Sequence, residues 1–211
     1  MRAFIFDLDG VIVFTDRFHY QAWKRMADEM GIYFDEQINH RLRGVSRPQS
    51  LEIILRRYEG APLSEEQKLE LMNRKNGYYR KLLDEMTPED VAPEVRETLR
   101  KLREGGYKLA IGSSSKNAKC ILEKVELSKM FEAVSDGINI SRSKPDPEVF
   151  LKAAAFLQED PAQCYVVEDA CAGIDAACAA GCVSIGIGEA GKYDRADYRI
   201  ETFSDLSEFL L

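Results

Sequence analysis

FIFDLDGVIVF, residues 4–14, runs from apolar residues into Asp7 and Asp9 and returns to apolar residues at Val11. Residues 3–6 (AFIF) read as a short buried strand. A carboxylate is costly to bury unless its charge is compensated. Two carboxylates this close repel, so one resists ionisation unless a cation lies between them. The stretch therefore predicts a strand that delivers acid groups to a site, with a counter-charge to hold them there. As a plain alternative, Asp-Gly is a common turn pair.

Outward from this strand the pattern changes twice. From about residue 16 to 88 the chain is charged and helical in period, with IILRRY, EEQKLELMNRK and YYRKLLDEM reading as amphipathic helices. TPEDVAP (87–93) reads as a linker, followed by a helix over PEVRETLRKLREGG closed by Gly105 and Gly106. After that, strands and helices alternate. YKLAIG (107–112), EAVSD, CYVV (164–167) and CVSIGIG read as strands. KNAKCILEKVEL, PEVFLKAAAFLQ (opened by Asp146 and Pro147), AGIDAACAAG and a closing FSDLSEFLL read as helices. Such alternation predicts an α/β fold, a Rossmann-like parallel sheet covered on both faces, which AFIF joins. The expected division is a core of residues 1–13 and 89–211, with a helical insertion over residues 14–88.

The 211 residues carry a net charge of −7, which argues against nucleic acid or an anionic membrane as the main partner. No apolar run is long enough to span a bilayer, and the first residues lack the pattern of a signal peptide. Cys120, Cys164, Cys171, Cys178 and Cys182 are odd in number and contain no CxxC, which points to reduced thiols and a cytosolic protein. Cys171, Cys178 and Cys182 have the spacing of one helix face, where small packed side chains are the ordinary reading and a zinc site the rare one.

In an open parallel sheet, ligands bind beyond the carboxyl ends of the strands. Asp7 and Asp9 follow the first strand, Ser113-Ser114-Ser115-Lys116-Asn117 the second and Glu168-Asp169 the fourth, while Ser143-Lys144-Pro145-Asp146 precedes a helix. Each set alone is explained by a turn, a helix cap or an exposed lysine. Four acidic groups at one edge ask for a cation, and carboxylates suit Mg²⁺ together with a substrate phosphate. The serine-rich loop offers hydroxyls and backbone N–H groups to an anion, and Lys144 adds positive charge. One aspartate then attacks phosphorus as nucleophile, and its neighbour moves the proton of an alcohol.

DLDGVIV (7–13), IGSSSKN (111–117), SKPDP (143–147) and VVEDACAGI (166–174), in that order, resemble the haloacid dehalogenase superfamily of phosphotransferases. The resemblance covers essentially the whole chain. It implies that the insertion is a four-helix cap domain, and that Asp7 is the nucleophile and Asp9 the general acid and base. It also implies Mg²⁺ held by Asp7, the backbone carbonyl of Asp9, Glu168 and Asp169, and a transferring phosphoryl group held by Ser113 and Lys144. Within the cap, HYQAW (19–23), LRGVSRPQSL (42–51) and RKNGYY (74–79) look like the substrate-recognition segments of the hexose-phosphate mutases of that superfamily. By that likeness Arg47, with Ser115, Lys116 and Asn117, meets a second phosphate, and Thr15, His19, Arg43 and Lys75 serve the closed state of the cap. Trp23, Gly44, Val45, Ser46, Ser50 and Ser114 complete the substrate-binding set.

The implied substrates are β-glucose 1-phosphate, glucose 1,6-bisphosphate and glucose 6-phosphate. The implied alternative is a Mg²⁺-dependent sugar-phosphate phosphatase with the same core residues. Taken without the resemblance, Arg47 is a helix-start arginine, Lys75 a solvated one, His19 a packing histidine and Trp23 cap core. Phe14 and Ala170 depart from the family pattern, standing where relatives carry an acidic residue and a serine. A cap that opens and closes suits a monomer.

Overall fold

β1, Ala3–Phe6, is buried at all four positions and lies in the middle of the sheet. The protein is described here by a computed structural model covering residues 2–42 and 45–210. Five further strands complete the sheet: β2 (Lys108–Gly112), β3 (Ala133–Ser135), β4 (Cys164–Glu168), β5 (Val183–Gly186) and β6 (Tyr198–Arg199). Their order is β3-β2-β1-β4-β5-β6, and every pairing is parallel. A parallel sheet covered on both faces needs apolar residues at almost every strand position, which AFIF, KLAIG and CYVVE supply.

The two faces of β1 are covered differently. Ala3 and Ile5 pack with Ala110, Val166, Val149, Phe150, Ala176 and Ala177, the last four from helices α7 (Glu148–Leu157) and α8 (Cys171–Ala180), numbered in chain order. Phe4 and Phe6 point the other way, into an aromatic layer. Phe4 meets Tyr165 at 4.8 Å and Tyr107 at 5.0 Å between centroids, and Phe6 meets Phe203 at 5.7 Å. The remaining helices of this part are α5 (Pro93–Glu104) and α6 (Ala118–Lys124).

The chain divides into two compact units, Met1–Phe14 with Thr87–Leu211, and Thr15–Met86. The second unit holds α1 (Asp16–Glu29), α2 (Glu36–His40), α3 (Arg47–Leu55) and α4 (Glu65–Leu83). Trp23, Met26, Phe34, Ile38, Leu51, Ile54 and Leu71 form its own core. Ser46 and Ser64 begin α3 and α4 with reciprocal capping to Gln49 and Gln67, so backbone N–H groups at the N-termini of both helices are satisfied locally.

Several elements differ from expectation. EEQKLELMNRK and the YYRKLL of YYRKLLDEM form one helix, α4, which runs on through Gly77 to Leu83. KNAKCILEKVEL keeps only seven helical residues, and FSDLSEFLL is a 3₁₀-helix over Phe203–Leu210. The pair β6 carries no apolar signal and escapes pattern reading. The three cysteines do not share a buried helix face: Cys171 is exposed, Cys178 half-buried, and Cys182 lies buried beyond the end of α8. All five cysteines are free thiols.

Truncating the centre of this core is expected to cost far more than trimming its rim. Ile5→Ala removes a fully buried side chain and should destabilise by about 2–5 kcal/mol. Phe156→Ala, at a half-exposed position, should fall within about 1 kcal/mol of the parent. Urea unfolding followed by circular dichroism measures both; equal losses would contradict the assigned core.

Candidate active site

The sheet register sets the site. Phe6 pairs with Ile111 on one side and Val167 on the other, so the residues after them leave the sheet together. Asp7 is held in line by its N–H, which donates to the Val167 carbonyl at 2.9 Å. Asp7 and Glu168 therefore emerge side by side from adjacent strands, about one strand spacing apart. Ser113 leaves β2 on the other flank of β1. Beyond Asp7 the chain folds tightly: the N–H groups of Ile12 and Val13 donate to the Leu8 carbonyl, and that of Gly10 to Val13.

Lys144 arrives from the loop before α7. Its ammonium donates to Asp7 Oδ1 and to Glu168 Oε1, each at 2.5 Å, and lies 4.9 Å from the Phe150 ring centroid. Burial would lower its pKa, but the charges of Asp7 and Glu168 outweigh burial and raise it. Asp169 joins them, and one oxygen from each of Asp7, Glu168 and Asp169 lies within 4.8 Å of the others. Burial, then repulsion from Asp7 and Glu168, pushes the Asp169 carboxyl up to about 8. Burial also raises that of Glu168, against the pull of Lys144. Three carboxylates against one ammonium leave the cluster short of positive charge. Its donors are all hard oxygens, so these residues fit a divalent cation. The Asp9 carboxylate is not part of this cluster.

Two glycines make room for it, and sequence reasoning missed both roles. A side chain at Gly173 would overlap the Glu168 carboxylate, and one at Gly10 would overlap that of Asp169. Gly10 also has φ +93°, a conformation that other residues adopt only under strain. Only the helical position of Gly173, where alanine is the better helix former, could have drawn attention to it.

The phosphate-type loop is stitched by its own hydroxyls. Ser113 Oγ accepts from the Ser115 N–H at 3.1 Å, and Ser115 Oγ from the Asn117 N–H at 3.2 Å. Ser113 and Asn117 are buried, Ser114 and Ser115 half-buried and Lys116 exposed.

The helical unit gathers basic groups of its own. Lys75, only 2% exposed, donates to His19 Nδ1 at 2.9 Å and stands over the rings of Trp23 (4.8 Å) and Tyr79 (4.7 Å). Lys75 is thus a buried cation, not a solvated one, and Trp23 is core that carries it. His19 stacks on Tyr79 at 4.2 Å, and Tyr79 donates to the Thr15 hydroxyl at 3.2 Å; this role of Tyr79 was missed. Burial, with the charges of Lys75 and Arg47, holds the His19 pKa well below its usual value. Arg47 opens α3 and donates to Asn76 Oδ1 at 3.0 Å, and burial lowers its pKa. Ser46 caps α3, Ser50 is buried and Val45 exposed. Arg43 and Gly44 lie outside the described residues. No described helix is long and apolar enough to cross a membrane.

Residues 1–181 match the family model of haloacid dehalogenase-like hydrolases, and the chain belongs to that family. It is 42% identical, over its whole length and 94% of the relative, to "Beta-phosphoglucomutase" of Bacillus subtilis strain 168. It is 31% identical, over 86% of its length and 82% of the relative, to "Phosphorylated carbohydrates phosphatase" of Thermotoga maritima. The crystal structure of a beta-phosphoglucomutase from Clostridium difficile superposes with a TM-score of 0.89 at 37% identity, covering 98% of this chain and 93% of the other.

Two outcomes are expected. Gly173→Ala should displace the Glu168 carboxylate and weaken binding of a divalent cation, titrated as Mg²⁺, at least tenfold by isothermal titration calorimetry; unchanged affinity would refute the cradle. His19, neutral when folded, contributes stability that is fully present above the unfolded pKa near 6.5 and is lost as pH falls towards the depressed folded value. Between pH 6.5 and 5.5 the parent should lose up to about 1.4 kcal/mol relative to His19→Asn. That difference isolates His19 from Glu168 and Asp169, whose raised pKa values act in the opposite sense. Parallel unfolding curves at both pH values would contradict a buried neutral imidazole.

Proposed function

We propose that the protein is a β-phosphoglucomutase, interconverting β-D-glucose 1-phosphate and D-glucose 6-phosphate. Full-length likeness to an enzyme of that name supports the reading. The observation that carries it is Arg47, a guanidinium at the start of α3 in the helical unit, which offers a second phosphate a partner apart from the acidic cluster. A phosphatase needs one phosphate site, whereas a mutase with a bisphosphate intermediate needs two.

The aspartyl-phosphate on Asp7, formed beforehand from glucose 1,6-bisphosphate, passes its phosphoryl group to the C6 hydroxyl of β-glucose 1-phosphate: the new phosphorus–oxygen bond forms as the bond to Asp7 breaks, and the hydroxyl proton goes to Asp9. The resulting glucose 1,6-bisphosphate turns round, Asp7 attacks its C1 phosphorus, the bond from phosphorus to the C1 oxygen breaks, and Asp9 returns the proton to that oxygen, which releases glucose 6-phosphate and restores the aspartyl-phosphate. Ser113 and Lys144 hold the transferring group. Asp7, Glu168, Asp169 and the Asp9 carbonyl would hold Mg²⁺, which supplies positive charge to the phosphoryl oxygens when bound. Arg47, with Ser115, Lys116 and Asn117, holds the far phosphate, for which a guanidinium fork is suited. Ser114 and the Val45, Ser46 and Ser50 stretch shape the sugar site with Arg43 and Gly44. Thr15, His19 and Lys75 serve closure of a cap that keeps water from the aspartyl-phosphate. A cytosolic monomer with reduced thiols fits the free cysteines. A second reading, a sugar-phosphate phosphatase, uses the same core with water as acceptor, and the Thermotoga relative favours it.

The test follows both fates of the phosphoryl group with Mg²⁺, β-glucose 1-phosphate and a trace of glucose 1,6-bisphosphate. Glucose 6-phosphate should dominate, with little free phosphate. Asp7→Asn should abolish both products, and Arg47→Ala should lower mutase turnover at least tenfold. Free phosphate as the main product of the parent would establish the phosphatase instead.

A further inference from the structure

Glu148 opens α7 four residues after Lys144. Its Oε2 accepts three hydrogen bonds from the loop before that lysine: the Ser141 N–H at 2.9 Å, the Ser141 hydroxyl at 2.8 Å and the Arg142 N–H at 2.8 Å. Its Oε1 pairs with Lys152 Nζ at 2.7 Å. Lys152 also donates to the Asn139 carbonyl. The Asn139 side chain closes the end of β3: Oδ1 accepts from the Ser135 hydroxyl and the Asp136 N–H, and Nδ2 donates to the Val134 carbonyl. Within the same turn, Gly137 N–H donates to the Ser115 carbonyl at 3.0 Å, and a side chain there would overlap the Ser114 carbonyl.

These contacts form one strut. It runs from the backbone of residues 114–116, through Asn139, Lys152 and Glu148, to Arg142, two residues before Lys144. A helix-start glutamate with a lysine four residues on is an ordinary, weakly stabilising pair. That pair does not call for three further donors converging on the other oxygen. Bonds to a charged acceptor are the stronger kind, and these three fix the loop immediately upstream of the lysine. Hydrogen bonds from Lys152, Ser141 and Arg142 hold the Glu148 carboxyl down at about 2, so the anchor stays charged at any working pH.

We propose that Glu148 is a positioning residue, whose carboxylate sets the spacing between Lys144 and the Ser113–Lys116 loop. This rests on the reading that Lys144 contacts the transferring phosphoryl group. A misplacement of order 1 Å at such a contact costs about a hundredfold in rate.

The test is a double-mutant cycle between Glu148→Ala and Lys144→Ala, with turnover counted as glucose 6-phosphate plus free phosphate. Glu148→Ala should lower kcat on the order of 10–100-fold with KM nearly unchanged. Glu148→Gln, which keeps one acceptor oxygen for the loop, should recover most of that loss. The double variant should be no slower than Lys144→Ala alone, because both changes act through one group. Multiplying losses in the double variant, or an unchanged kcat in Glu148→Ala, would overturn the proposal. If Glu148→Ala does not fold, Glu148→Gln decides in the same cycle: a several-fold fall that vanishes beside Lys144→Ala supports it, and any other result refutes it. Full turnover in Lys144→Ala would instead overturn the reading of Lys144.

Discussion

The ammonium of Lys144, shared between Asp7 and Glu168, is the contact on which the carboxyl edge of the sheet depends. It joins three segments far apart in sequence: the end of β1, the end of β4 and the loop before α7. Buried ion groups pay heavily in lost hydration and are weak stabilisers overall. A fold under pressure for stability alone has little reason to keep three carboxylates here. Three hard-oxygen carboxylates gathered around one lysine suit a divalent cation, which their mutual repulsion invites.

Charge is divided between the two units. The sheet unit carries the acidic cluster, which suits a metal and a nucleophile. The helical unit buries Lys75 under two aromatic rings and a histidine, with Arg47 near enough to depress that histidine. Lys75 keeps its charge away from water through the His19 nitrogen and the faces of Trp23 and Tyr79.

Much of the sheet was legible because parallel strands need continuous apolar runs, and AFIF, YKLAIG and CYVV are such runs. The acid groups were legible because they follow those runs directly. What escaped depends on lateral contact. Gly173 is a glycine because Glu168 leans over it, and no periodicity records that. Tyr79 and Glu148 act through partners 64 and 7 residues away, which spacing does not reveal. β6 is two residues long and exposed, with no core signal to read. The basic set of the helical unit was visible only through family resemblance, since an isolated arginine or lysine in a charged helix reads as solvated.

The position of β1 also bears on how the chain is made. Its first residue pairs with Lys108 on one side and Cys164 on the other. During synthesis β1 emerges before its sheet neighbours and waits for partners more than a hundred residues further along. The helices of Thr15–Met86, which have their own core, can fold in that interval. Until β2 and β4 arrive, AFIF is a bare apolar segment with unpaired backbone on both edges, the kind of segment that seeds aggregation in newly made chains. A strand buried along its whole length in the folded sheet is thus left bare for a long interval on the ribosome.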